Sequence, residues 1–513
     1  MATHVSPPPS AGVVDEKTTA YAEHDLKNSS LTRHDGYDDV AQFEFDAQAE
    51  KKLRRKIDMY IVPTVALLYL FCFIDRANIG NARIAGLEKD LGINPKSFDY
   101  NIILSCFYIS YIVFEIPATI LAKALGPGWF IPAAALGFGI LTVCCGLVQT
   151  FSQICGVRFL LGIFEAGMLP GIAYYMSRWY RRSELAFRIS LYLVMAPLAG
   201  AFGGLFASAI LKLDHFGSMH SWRMIFGIEG IITIGLSLIA FLTLTDRPET
   251  ARWLTAEEKA LAVNRIHSEI VGQKDVLDRM DKTKLKRGIF NPVGLVNAVI
   301  FLFDNITVQA LAFFLPTIVR GIYPKQTVIQ QQLKTVPPYV VGAFCTLAIP
   351  FASSKLNKRV PFFIMCAPLV MIGYIMFLAT GVKDGQIRYG ATFIIVPGAF
   401  AFGALCTAHA SANAGSDTAK SSAIGTTVMF GNIGGLISTW SFVGTDAPNY
   451  PIGNGLNLAT STSIFILSIA LLWWMKADNR KRDSRNADAE LAGREQKEIE
   501  DLDWKHPGFR WRP

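Results

Sequence analysis

Charged and apolar residues are sorted along this chain into long alternating blocks. The stretch YIVPTVALLYLFCFI, residues 60–74, holds no charge, and Asp75 and Arg76 follow it side by side. Apolar blocks of about 20 residues recur, long enough to cross ~30 Å of hydrocarbon at ~1.5 Å per helical residue. Their limits read as 57–78, 99–122, 129–149, 154–177, 187–211, 223–245, 291–319, 331–352, 360–380, 389–410, 421–443 and 457–475. The fourth, tenth and eleventh are rich in Gly, Ala, Ser and Thr, small residues that let helices approach closely in lipid. GAFGG at 200–204 and GNIGG at 431–435 have that spacing. The pattern predicts an all-α integral membrane protein with twelve transmembrane helices.

The polar blocks orient those helices. Lys and Arg gather in KKLRRK before the first span, at Lys123, in RWYRRSELAFR, in the central loop, in KLNKR, at Lys420 and in MKADNRKRDSR. All of these fall on one side of a twelve-span arrangement, which by the positive-inside rule is the cytoplasmic side, so both termini are expected there. Residues 1–50, with SPPPS and no apolar run, read as a disordered cytoplasmic tail. No signal peptide is evident, and span 1 can serve as the targeting element. The loop at 246–290 divides a first six-helix bundle, 51–245, from a second, 291–476; a cytoplasmic tail, 477–513, follows. Two six-helix pseudo-repeats of this kind face each other across a central cavity in many transporters. Within the loop, TAEEKALAVNRIHSEI reads as a surface helix capped by Thr255.

Composition narrows the class further. Only 18% of the 513 residues are charged and the mean hydropathy is +0.32, against roughly a quarter charged in soluble domains. The net charge of +8 suits loops beside an anionic leaflet. Its spread over many loops argues against nucleic acid. The eight cysteines all fall within predicted spans at spacings that match no metal site, so they read as packing residues, and no metal or cofactor is expected. No P-loop, H-E-x-x-H or G-x-S-x-G arrangement is present, which points away from an enzyme and leaves an ion gradient as the energy source.

The candidate chemistry lies in charges placed within the spans, where they are costly and mark pathways by default. Asp75 and Arg76 stand in span 1, Arg158 and Glu165 in span 4. Arg158 and Glu165 are seven residues apart, two helical turns, hence on one face and about 10 Å apart along the axis. An arginine stays charged and holds a carboxylate through parallel hydrogen bonds. An incoming anion that competes for the arginine frees the acid to take a proton, so anion and proton enter together. The plain alternative is a salt-bridge network that only orients helices. Asn78, Asn81, Glu115, Asp304, Asn305, Gln309, His409 and Asn413 are further polar candidates. Tyr108, Tyr111, Tyr174 and Tyr175 are candidate cavity aromatics. Arg178, Arg181, Arg182 and Arg188 read as anchors of the cytoplasmic face, with Glu184 as their local partner.

Several motifs carry a family resemblance: DRANIGNA (75–82), RFLLGIFEAGMLPGIAYYMSRWY (158–180), FFLPTIV (313–319), TVPPY (335–339), NAGSDTAK (413–420), GNIGG and DAPNYPIG (446–453). As a set they resemble the major facilitator superfamily, and within it the fungal anion:cation symporters of the allantoate-permease type. The chain departs from the superfamily in two loops, AKALGPGW and SSKLNKR, the second with Ser354 where an Asp is usual. MAPLAGAFGG only partly matches the antiporter motif. The resemblance implies the major facilitator fold, with spans 1 and 4 lining the cavity, and a proton-coupled symporter of a small organic anion such as a carboxylate nutrient or vitamin. It implies Asp75 and Glu165 as proton sites. Arg76 and Arg158 would bind the substrate carboxylate or hold the acids, without a division between the two. Asn78, Tyr108, Tyr174, Asp304 and Asn305 complete the expected substrate-binding set. The expected setting is the plasma membrane, as a monomer. The alternative is a facilitator or proton antiporter exporting a fungal metabolite.

Overall fold

A computed structural model describes residues 47–94, 97–267, 282–484, 490–491, 493, 498–499 and 501–513. The expected disordered tail therefore lies, apart from its last four residues, outside the described residues, as does the middle of the central loop. Among the described residues, twelve long helical spans follow one another. They are span 1 (Ala47–Ile84), span 2 (Asp99–Leu125), span 3 (Pro127–Leu147), span 4 (Phe151–Glu165, then Met168–Ser177) and span 5 (Arg182–Leu193, then Met195–Ile210). Span 6 (Trp222–Thr243), span 7 (Pro292–Ile322), span 8 (Val328–Leu333, then Val336–Leu356) and span 9 (Val360–Ala379) come next. Span 10 (Gly385–Ala412), span 11 (Asp417–Ser438) and span 12 (Pro451–Asp483) complete the set. Eleven of these are long and apolar enough to cross a membrane. Span 11 is the exception: its 22 residues are interrupted by Ser, Thr, Gly and Asn.

The helices extend beyond the apolar blocks. Span 1 continues past 78 to Ile84, so Asp75 and Arg76 lie within a continuous helix. The breaks have local causes. Span 4 stops at Glu165 and restarts at Met168 across Ala166 and Gly167, with Pro170 in the next turn. Span 8 restarts on a first turn carrying proline, where the missing N–H costs nothing. Thr150, Asn291 and Ser416 cap the helices they precede, each accepting from the backbone N–H three residues on.

Spans 1 to 6 share one buried core and spans 7 to 12 supply most of two others. Large apolar residues such as Ile116, Ile120, Leu242, Phe344 and Trp473 are exposed on the outside, as a lipid-facing belt requires. The halves meet where backbones come close: a Cβ on Gly80 of span 1 would stand 2.5 Å from the Phe313 carbonyl oxygen of span 7. Span 2 reaches span 11 and the turn after it. Asn101 Nδ2 donates to Thr439 O at 2.5 Å, Ser105 and Thr439 hydroxyls lie 3.0 Å apart, and Trp440 Nε1 donates to Ser105 Oγ at 3.0 Å.

The opposite, basic end is held by ion pairs, and the partners of Arg178, Arg181 and Arg188 differ from the sequence expectation, while the Arg182 side chain lies outside the described residues. Glu184 pairs with Arg54 and Arg265, while Arg188 takes Asp58, Arg178 takes Asp246 and Arg181 takes Glu50. Partners from span 1 and the central loop are brought in by the fold, which spacing along span 5 does not reveal. The helix Ala256–His267 begins with the expected Thr255 cap: Glu258 N donates to Thr255 Oγ1 at 3.2 Å and Thr255 N to Glu258 Oε2 at 3.0 Å.

Residues 501–513 are built into the second half. Trp511 is buried against Trp504 and Phe509 beneath span 12. Its indole N–H donates to Asp478 at 2.7 Å and its backbone exchanges bonds with Asn479. The Asp503 carboxylate accepts from Gly415 N (3.0 Å) and Ser416 N (2.7 Å) at the start of span 11, and Arg359 N donates to Pro513 O at 2.9 Å. This segment joins the basic ends of spans 9, 10, 11 and 12.

Candidate functional site

Adjacent helical residues point about 100° apart, so Asp75 and Arg76 serve different neighbours. Arg76 turns to span 4, where its Nε donates to Glu165 Oε2 at 2.7 Å. Cys72, one turn earlier in span 1, lies beside both, 3.4 Å from the same carboxylate oxygen and 3.7 Å from Arg76 Nη2. The guanidinium carbon is covered by the rings of Phe73 (4.9 Å), Tyr111 (4.8 Å) and Phe107 (5.4 Å), within reach of cation–π attraction. Glu165 has no exposure and Arg76 is 5% exposed. The second carboxylate oxygen, Glu165 Oε1, is buried without a hydrogen-bond partner. Tyr108 packs edge-on to Phe107 and Phe313, and its buried hydroxyl is also unpartnered.

Asp75 and Arg158 form a second, adjoining group. Arg158 Nη1 donates to the backbone oxygen of Asp75 at 3.4 Å, and its guanidinium carbon lies 5.4 Å from the centre of the Phe226 ring on span 6. Its Nε and Nη2, and both carboxylate oxygens of Asp75, have no hydrogen-bond partner. Arg158 and Asp75 thus meet through the backbone, and their side chains form no ion pair. The two groups together contain two acids and two arginines, of which only Arg76 and Glu165 are joined as an ion pair.

The remaining expected residues are dispersed. Asn78 lies beside Asn81, whose Nδ2 donates to it at 3.4 Å, and both face Gly203 of span 5. Tyr174 stands nine residues beyond Glu165, toward the basic end, where Lys123 and Arg178 lie over its ring at 5.5 and 5.3 Å. It is not part of the Arg76–Glu165 group, because span 4 carries it away by the rise of more than two turns. Asp304 points into the second half near Cys366 and Cys406, and its Oδ2 is buried without a partner. Asn305 packs on Gly431 and Gly434 of span 11 and accepts from Gln309 at 3.5 Å. Gln309 borders a small cleft between the halves, together with Phe73, Ala77, Gly200, Tyr339 and Phe400. Through Phe73 the cleft adjoins the Arg76 guanidinium. Glu115 is tied to span 11, accepting from Asn432 Nδ2 at 2.8 Å.

One buried acid escaped the sequence reading. Glu229 of span 6 has no exposure and neither carboxylate oxygen has a partner. Its signal was available, since it is the sole charge in IFGIEGIITIGLSLIAFLTL. Among the described residues no group of His, Cys, Asp and Glu could hold a metal ion.

Among the described residues, twelve long helices, apolar outside and burying charged side chains among the spans of the first half, form the architecture of a multi-span membrane transporter. The Major Facilitator Superfamily profile matches residues 65–439, and the chain belongs to that family. It is 30% identical to an uncharacterized transporter of Schizosaccharomyces pombe over 91% of both chains. It is 31% identical to the MFS-type transporter efuF of Hormonema carpetanum, over 85% of this chain and 88% of that one. Among solved structures, a D-xylose-proton symporter superposes with a TM-score of 0.62 at 15% identity, covering 79% of this chain and 97% of the symporter. An inward-facing bacterial homolog of the human lysosomal transporter Spinster gives 0.61 at 16% identity, covering 80% and 95%. These solved structures establish the fold.

Proposed function

We propose that this transporter is a proton-coupled symporter that imports a small organic anion by alternating access. The observation that carries the reading is the Arg76–Glu165 pair: a guanidinium and a carboxylate 2.7 Å apart, buried, roofed by aromatic rings, next to the cleft between the halves. Arg76 is a permanent cation with donors to offer to a carboxylate substrate. When the substrate takes those donors, Glu165 loses its counter-charge in a buried site and binds a proton. The substrate's negative charge is then balanced by Arg76 and the glutamate's by the proton, so the loaded site carries no unpaired charge through the conformational change. When the anion leaves, the pair re-forms and the proton departs.

The aromatic neighbours give this site its second property. Tyr108 brings a hydroxyl with no partner and a π-face, which together suit a carboxylate borne on a flat or ring-containing body. The orientation with both termini cytoplasmic, supported by the basic end at Arg54, Arg178, Arg181 and Arg188, sets the opposite end toward the medium. An acidic medium would then drive uptake.

The test is uptake from a panel of radiolabelled carboxylates in a strain lacking its own carriers, at acidic and neutral pH, with and without protonophore. Accumulation that is greatest in acid and abolished by the protonophore is the expected result. Uphill accumulation that persists with the proton gradient collapsed would refute proton coupling.

A further inference from the structure

Spans 2 and 11 belong to different halves and meet along one face of each. On span 2 that face carries Asn101, Ser105, Tyr108 and Glu115, at successive spacings of four, three and seven residues. On span 11 and its C-cap the face carries Asn432, Gly435 and Thr439. The two faces run antiparallel. Asn101 and Ser105 meet Thr439, the Tyr108 ring fills the space that a Cβ on Gly435 would need, and Glu115 Oε2 accepts from Asn432 Nδ2 at 2.8 Å. Glu115 is 7% exposed. Thr119 bonds its backbone oxygen at 2.8 Å and leaves the carboxylate to the amide of the other half.

The depth of this bond gives it a role. Tyr111, one turn before Glu115, has its ring centre 4.8 Å from the Arg76 guanidinium carbon, so span 2 passes the Arg76–Glu165 pair at Tyr111. Glu115 stands four residues further on, about 6 Å toward the basic end, where Lys123 occupies the last turn. Asn101 and Ser105 lie the other way, about 21 and 15 Å from Glu115 along the axis. From Asn432, span 11 also continues to the basic end, where its first amides are held by Asp503. The two spans are thus bonded on the outer side of the Arg76–Glu165 pair through Thr439, and on its inner side through Glu115 and Asn432.

We propose that Glu115 and Asn432 form an inner gate, a bond across the halves that keeps spans 2 and 11 together on the cytoplasmic side of the Arg76–Glu165 pair and parts before cargo leaves for the cytoplasm. The proposal rests on the alternating-access reading above and adds a gating pair to it. A hydrogen bond to a carboxylate is strong and directional, and a displacement of about 1 Å breaks it. Apolar contacts weaken gradually over the same movement, so this bond gives the closure its two-state character. A carboxylate within a span is costly unless it faces protein or a water-filled cavity. Glu115 meets that condition in both states: Asn432 serves it when the inner end is closed, and water in the widening cavity serves it when the end opens. Rocking of one half on the other relaxes one end of the span 2–span 11 contact as it tightens the other, so the inner bond and the Thr439 contacts part at different stages of the cycle.

The test is pulsed electron paramagnetic resonance on the full-length protein in phospholipid nanodiscs, with no substrate present. Nitroxide labels are carried by noncanonical amino acids at Ala124 and Ser421, exposed residues at the inner ends of spans 2 and 11. Glu115→Ala and Asn432→Ala should each raise the ratio of long to short distances about tenfold, the lower end of what a hydrogen bond to a charged group supplies. Glu115→Gln keeps an acceptor for Asn432 and should stay near wild type. Labels at Lys89 and Thr445, exposed at the outer ends, should show no added long distances in any variant. An inner distance distribution unchanged in Asn432→Ala, or a widening at the outer pair in place of the inner one, overturns the proposal; Asn432 is half-buried, so that variant carries the test even where Glu115→Ala fails to fold. Absence of gradient-driven uptake would count against the symport reading alone, since the label distances are read without transport.

Discussion

Arg76 is held by two unlike forces, the Glu165 carboxylate at 2.7 Å and the faces of Phe73, Tyr111 and Phe107. Removing one member of a buried ion pair strands the other, a cost of about 3–5 kcal/mol. Arg76→Ala is therefore expected to lower the melting temperature of the purified protein sharply, and Arg76→Ala with Glu165→Gln to recover much of the loss. A double variant no more stable than the single one would show that the pair contributes little. These residues were legible in the sequence because a charge inside an apolar block is costly wherever it points. Their pairing was not legible. Sequence places Asp75 beside Arg76 and Arg158 two turns from Glu165, but helix rotation sends Arg76 to Glu165 and leaves the Asp75 carboxylate without a partner. Tyr174 shows the same limit: its aromatic character was plain, whereas the rise along span 4 that carries it to Lys123 and Arg178 decides what it meets.

Helix boundaries were read closely where an apolar block ends in a charge or a proline, as at Pro292 and Val360. They were read poorly where polar residues continue a helix, as beyond Asn78 in span 1 and beyond Met475 in span 12. The terminal segment was unreadable as structure, because its order comes from tertiary partners: Asp503 on span 11, Trp511 on span 12 and Pro513 on Arg359. Trp511→Ala removes a fully buried indole and is expected to destabilise the second half by about 3–5 kcal/mol; an unchanged melting temperature would show that the segment is not docked. The helix Ala256–His267 is tied to span 1 through Lys56 and Glu258, 2.6 Å apart. Partial burial pushes the Glu258 carboxyl up, but the Lys56 ammonium and the Thr255 N–H outweigh it and hold the group below its usual range. A lowered acid stabilises the folded arrangement above its unfolded pKa, about 4.3, and that contribution is lost as pH falls through the folded value. Protease cleavage of the central loop should accelerate on acidification through that window, and Glu258→Gln should blunt the acid response. An acid response identical in the variant would assign it elsewhere.

The two halves in this conformation are joined at the end remote from the basic loops, by Asn101 and Ser105 to Thr439 and by Trp440 to Ser105. Alternating access requires those contacts to part in each cycle. A disulfide between Asn101→Cys and Thr439→Cys should stop uptake when oxidised and release it when reduced; undiminished uptake by the oxidised pair would mean this end does not open. The helical membrane class was visible from the spacing of apolar blocks, because hydrocarbon thickness dictates helix length whatever the cargo, and the major facilitator fold was implied by the resemblance of the motifs. The cargo was not visible, since the cleft draws Phe73, Gln309, Tyr339 and Phe400 from four different spans. The most direct measurement is uptake of a transported carboxylate into proteoliposomes under an imposed inward proton gradient, comparing wild type with Glu165→Gln. Wild type should accumulate the anion above equilibrium only while the gradient lasts, and Glu165→Gln should merely equilibrate it. Gradient-driven accumulation left intact by Glu165→Gln would contradict the account.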